Sequence, residues 1–334
     1  MGGMAMNWKT LLYEYAHSRN RMEAECDPSV LQPLGESALD WGLQGEKLLR
    51  IREQRRERRL VAVNREVRLR ILRARPVRGG LLADIRLHSR FAYRIDGADH
   101  LEERAERESV YLSALRGGWA IAGIEPDTRE LTGGAVFPPE GGAANAAPLP
   151  ANLKPMLNPL AQFRRAGGYD RQAAADYADR YWETANPGYL EFEVDCSNYV
   201  SQCIFAGGAP MNYTDRRDSG WWYRGMSGSR ENWSYSWAVA DSLRRYLAAG
   251  RSHGLRAKAV ESAQELEPGD VIGYCWKGDG RFGHSTVVAS KDKNGMPLVN
   301  AHTVSSKHRY WDYRDSYAWT ENTRYLFFHI TDLF

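Results

Sequence analysis

Residues 128 to 158 contain the run GGAVFPPEGGAANAAPLP, and this stretch constrains the fold more than any other. It is rich in Gly, Pro, Ala and Asn, the composition of a linker. A chain of 334 residues interrupted this way is expected to fold as two bodies. The expected boundaries are 1–127 for the first domain, 128–158 for a flexible linker and 159–334 for the second domain.

Before the linker, residues 8 to 23 place Leu11, Leu12 and Tyr15 on one helical face. A second, charged helix is expected over 37 to 60. The arginines from Arg50 to Arg75 read as a solvated face, and they lack the interleaved aromatics that nucleic-acid stacking needs. From Glu66 the period changes to two. EVRLRILRAR, LADIRLHSRFAYRID, RAERESVYLSALR and GGWAIAGIEPD read as four antiparallel strands. Two helices and four strands make a small α+β domain. His88 and His100 read as isolated histidines without a catalytic role.

After the linker the pattern is three helices and then strands. Asp170 caps a helix with Tyr177, Ala178, Tyr181 and Trp182 on its face. Residues 197 to 206 form the next helix, closed by Gly207-Gly208. A third helix is expected over 236 to 249. GDVIGYCW, HSTVVAS, MPLVNAHT and YLFFHI are the expected strands.

The chemistry centres on DCSNYVSQC, residues 195 to 203. A thiol is nucleophilic as thiolate, and a helix N-terminus and a histidine both favour that form. Cys196 is expected at the helix start. Asp195 before it would accept hydrogen bonds from the first-turn N–H groups, with Ser197 as a supporting residue. On one helix Cys196 and Cys203 are about 10.5 Å apart, beyond the roughly 7 Å that a disulfide spans. Cys203, beside Val200 and Ile204, therefore reads as a packed apolar residue. No cysteine or histidine spacing matches a zinc site, and no metal or cofactor is expected. His284 and His302, on adjacent strands, supply a base and a residue to orient it; Asn300, on the same strand face as His302, is the alternative for the orienting role. Tyr177, Trp222, Trp233 and Trp237 are candidates for a substrate groove, with core packing as the competing role for each.

Three motifs, YDRQAAADYADRY, DCSNYVSQC and GHS, in that order, resemble the amidase-domain family of Bacillus-type bacteria, related to the NlpC/P60 cysteine peptidases of papain-like fold. The resemblance covers about residues 169 to 330. It implies a papain-like second domain with Cys196 as nucleophile, His284 as base and His302 as third member. Asn198 stands where NlpC/P60 proteins usually carry glycine, which leaves the substrate open. The first domain more distantly resembles NTF2/Tim44-like, cystatin-like sheets. The implied reaction is thiol-dependent hydrolysis of a peptide or peptidoglycan-type amide. The alternatives are acyl transfer or transamidation on the same fold, or a binding protein acting through its first domain.

Composition adds exclusions. A net charge of +3 is too small to argue for nucleic acid as partner. No run reaches the about 20 apolar residues of a membrane span. The N-terminal segment lacks a secretory apolar region, so the chain as written reads as cytoplasmic, or extracytoplasmic if a natural leader preceded it. The oligomeric state is not legible.

Overall fold

A computed structural model describes residues 7–35, 42–132, 168–227 and 230–334. The expected linker lies outside the described residues from 133 onward. The fold is α+β, with extensive antiparallel sheet and several helices. The described chain runs α1 (Trp8–Glu25), α2 (Gly42–Glu57), β1 (Val61–Val77), β2 (Gly80–Ile95), β3 (Ala98–Leu115), β4 (Gly118–Pro126) and α3 (Arg129–Thr132). It continues as α4 (Arg171–Tyr181), α5 (Cys196–Ala206), β5 (Tyr223–Ser227), β6 (Arg230–Trp233), α6 (Tyr235–Ala238), α7 (Ala240–Leu247) and β7 (Ala257–Val260). It ends as β8 (Val271–Cys275), β9 (His284–Lys291), β10 (Pro297–Ala301), β11 (Ser305–Tyr310) and β12 (Arg324–Ile330).

The chain divides into two compact units. The first is Met1–Leu131 with Lys291–Val299 and Val304–Glu321; the second is Thr132–Ser290 with Asn300–Thr303 and Asn322–Phe334. Segments late in the sequence thus complete the first unit.

In the first unit the alternation from residue 61 onward gives antiparallel strands in the order β1-β2-β3, with β4 and β11 both pairing with β3. The core-facing residues Ala83, Ile85, Leu87, Val110 and Leu112 pack with Leu11, Leu12, Tyr15 and Ala16 of α1. Charge is also buried here. Arg19 and Lys47 pair with Glu106 and Glu23, and Arg65 also pairs with Glu23. The solvated arginine face expected from sequence is only partly present. Arg58 is buried, stacked on Tyr310 at 3.8 Å, because aromatic faces receive its guanidinium.

Burial pushes the Glu23 carboxyl up, but Arg65, Lys47 and Arg19 outweigh it and bring it down to about 2 from an ordinary 4.5. The lower folded value means that Glu23 stabilises the unit fully above pH 4.5 and loses that contribution as pH falls toward 2. Glu106 and Asp315 shift in the same direction, again against burial, under Arg19 and Arg104 respectively. Glu108 and Glu130 are shifted up, chiefly by burial, and so gain on acidification. The larger downward set predicts a fall in melting temperature between pH 4.5 and 2.5, measured by circular dichroism. In Glu23→Gln that fall should be shallower. An unchanged slope in the variant removes Glu23 from the account.

In the second unit the strand order is β9-β8-β12-β7, all antiparallel neighbours where the register is defined. Helix α5 is its axis. Every residue from Cys196 to Ile204 is buried, as expected for a helix enclosed on all sides. Gly207 ends it for a steric reason: a Cβ there would lie 2.3 Å from the Tyr169 ring. Gly208 follows at φ +97°, which favours glycine. The third helix expected over 236–249 is two helices, broken at Val239, whose backbone is extended. The hairpin β5–β6 and strands β7 and β11 were not legible, being short and without a clear alternation.

Candidate active site

Cys196 is the first residue of α5 and is 2 % exposed. Its sulfur lies 3.8 Å from the Ser197 hydroxyl. Ser197 in turn donates to the Ser285 hydroxyl at 3.3 Å. These contacts set the start of β9, where His284 precedes Ser285, against the start of α5. His284 is itself buried, against the rings of Trp276 and Tyr274 at 5.8 and 5.5 Å.

Burial pushes the Cys196 thiol up, and the Asp195 carboxylate adds to this. The Ser285 and Ser197 N–H groups oppose it, as does the Ser197 hydroxyl. The net direction is upward. The helix N-terminus alone therefore does not make a resting thiolate here, contrary to the expectation from sequence, because desolvation of the charged form wins. Cys203, two turns on, is fully buried in the apolar core among Tyr199, Val200 and Ile204, as its spacing implied.

Asp195 does not cap the helix with its side chain. One carboxylate oxygen accepts the Phe192 N–H at 3.0 Å and the Asn198 amide at 2.8 Å. The other faces His302 Nδ1 at 2.7 Å. The Asp195 N–H donates to the Thr303 hydroxyl at 3.1 Å. The expected clamp on first-turn N–H groups is thus a clamp on the chain before and beside the helix. Those N–H groups receive no acceptor from Asp195.

His302 also differs from expectation. Nδ1 is engaged by Asp195, and Nε2 lies 2.6 Å from the Tyr181 carbonyl oxygen. With both ring nitrogens committed, His302 has none left to orient His284. Asn300 is fully buried, and its amide donates to Asp179 at 2.8 Å.

The four aromatic side chains considered for a groove are interior. Tyr177, Trp222, Trp233 and Trp237 are 3 %, 1 %, 4 % and 0 % exposed. Their polar atoms bond inward: Tyr177 donates to Gln202, Trp222 to the Ser219 carbonyl, and Trp237 to Asn198 at 2.8 Å. The Trp237–Asn198 bond extends the network that holds Asp195, which satisfies a buried indole N–H as packing requires.

Sequence reading missed Ser285, and it missed the contacts made by the Tyr181 carbonyl and the Thr303 hydroxyl. Thr303 adopts φ +86°, an outlier for a β-branched residue, and such strain collects at functional positions. Nothing in local spacing points to these contacts, which join residues about a hundred positions apart. Among the described residues no cluster of histidine, cysteine and carboxylate groups is arranged to hold a metal ion, and no helix is long and apolar enough to cross a membrane.

Residues 168–328 match the family model described as "Putative amidase domain". The chain is 52% identical to the uncharacterized protein YhbB of Bacillus subtilis (strain 168) over 170 residues, covering 51% of this chain and 53% of that protein. It is 26% identical to the uncharacterized protein YjcM of the same organism over 152 residues, covering 41% of this chain and 32% of that one. The chain thus spans about half the length, or less, of these curated relatives. No solved structure matches.

Proposed function

We propose that the second unit is a thiol-dependent amide hydrolase of papain-like, NlpC/P60-related fold, and that the first is an NTF2-like domain. The amidase-domain match supports the reaction class. The observation that carries the mechanism is the seating of the start of β9, with His284 one residue before Ser285, against the start of α5 through the Ser197–Ser285 hydroxyl bond.

The proton inventory follows from that seating. At rest the buried thiol is neutral. When a substrate carbonyl arrives, His284 takes the Cys196 proton and the sulfur attacks the carbonyl carbon. The oxyanion that forms meets the uncapped N–H groups of the first turn of α5. His284 returns the proton to the leaving amine, and the C–N bond breaks to leave a thioester. Water then attacks the thioester with His284 as base, releasing the acid and restoring the thiol. The substrate class is a peptide or peptidoglycan-type amide. An amine in place of water gives acyl transfer through the same thioester.

The test is incubation of the protein with peptide and cell-wall muropeptide substrates, with mass analysis of products with and without an added amine. New amine and acid ends identify hydrolysis, and an amine-adducted acyl product identifies transfer. In His284→Gln, turnover is expected to fall by about 10²- to 10⁴-fold, the range for loss of a general acid–base group. Full turnover in that variant rejects the assignment of His284.

A further inference from the structure

We infer that His302 is a doubly protonated imidazolium, and that with Asp195 it forms a charge-neutral clamp on the nucleophile's helix start. Its catalytic part rests on the hydrolase reading above; its charge state does not. The argument is one of hydrogen-bond stoichiometry. A carbonyl oxygen only accepts, and Tyr181 presents one to Nε2 at 2.6 Å. A carboxylate only accepts, and Asp195 presents one to Nδ1 at 2.7 Å. A neutral imidazole has a single N–H and satisfies one of the two. The imidazolium satisfies both.

The surroundings fit a cation. The His302 ring stacks on Tyr199 at 4.0 Å with 15° between planes, where an aromatic face stabilises positive charge. Asp195 is nearly buried, and a buried carboxylate needs an opposite charge. Its other oxygen is filled by Phe192 and Asn198. From α4, Asp179 is bonded to Asn300, two residues before His302, and carries the same sign as Asp195, while the Arg180 guanidinium lies over the Tyr181 ring. From β9, Ser285 is bonded to Ser197, beside the thiol.

The clamp has a consequence one residue away. The Asp195 carboxylate adds to burial in opposing thiolate formation at Cys196. A cation bonded to its carboxylate cancels much of that field, while the strained Thr303 hydroxyl and the Asn198–Trp237 bond hold the peptide before the nucleophile in place. His302 is then a positioning residue, and it transfers no proton.

Nitrogen-15 spectra of histidine-labelled full-length protein between pH 6 and 8 read the charge state directly. Both His302 nitrogens are expected to carry the protonated signature at pH 7, and one of them to lose it in Asp195→Asn. One unprotonated nitrogen in the wild-type protein at pH 7 overturns the inference, whatever the enzyme's activity. The second measurement is the pH dependence of Cys196 alkylation by iodoacetamide, followed by peptide mass. His302→Gln is expected to move the inflection up by about one unit, roughly a tenfold slower reaction at fixed pH. The double variant Asp195→Asn/His302→Gln is expected to move it back. Equal inflections in all three proteins leave a packing role only and reject the electrostatic one. Absence of amide turnover in the wild-type protein rejects the hydrolase reading and leaves both of these results standing.

Discussion

Replacing Cys196 by alanine is expected to abolish amide cleavage, by on the order of 10³-fold or more, while leaving the fold intact. The two effects separate because the thiol contributes little to packing. Deleting one buried sulfur costs about 1 kcal/mol in transfer and cavity terms, against stabilities of roughly 5–15 kcal/mol for a domain. Cys203→Ala is the matched control. It removes the same atom from the same helix two turns on, in the apolar core. It is expected to lower stability by a similar or larger amount and to keep turnover. Product formation by mass analysis and thermal melting, run on both variants, distinguish the roles. Retained turnover in Cys196→Ala ends the thiol mechanism. Lost turnover in both variants means that helix integrity, not the Cys196 sulfur, is being measured.

That contrast between two cysteines on one helix was legible in the sequence. Seven residues are two helical turns, so a disulfide was excluded by length and Cys203 was placed beside Val200 and Ile204. Helix α1 and strands β1 to β4 were legible for the same kind of reason: each follows from a local period of apolar residues. What escaped was everything set by contacts between distant positions. The Asp195 side chain has the composition of an N-cap, yet in the structure it turns to His302, because a buried ring with two N–H donors competes better for a carboxylate than backbone N–H groups do. Trp222, Trp233 and Trp237 look like a binding surface when counted along the chain, and their burial becomes visible only once α5 and the strands surround them. Arg58 looks solvated for want of a sequence neighbour, but Tyr93 and Tyr310 come from far away in the chain to cover it. The return of residues 304–321 to the first unit has no local signature either.

That returning segment supplies the largest stability effect. Arg309→Ala is expected to destabilise the first unit by about 3–5 kcal/mol, the usual cost of removing one partner from a buried ion pair. Arg309 is 2 % exposed. Its guanidinium donates to both Asp315 oxygens, at 2.9 to 3.2 Å, and lies 3.4 Å from Glu130 and 3.7 Å over the Tyr313 ring. Removing it leaves Asp315 with Arg104 and leaves Glu130 with the Ser316 hydroxyl. The two carboxylates fare differently. Burial already pushes the Glu130 carboxyl up, so it can take a proton and become neutral at modest cost. Asp315 is held well below the ordinary carboxylate range by Arg104 and Arg309 against its burial, so it keeps its charge and bears most of the loss. Adding Asp315→Asn to Arg309→Met does not restore the site, because it takes from Arg104 its Asp315 partner. The double variant is therefore expected to be no more stable than Arg309→Ala. Urea unfolding at pH 7 measures both variants against the wild-type protein. If Arg309→Ala costs under about 1 kcal/mol, the range of an exposed pair, the guanidinium is hydrated in solution and these carboxylates are not a buried network.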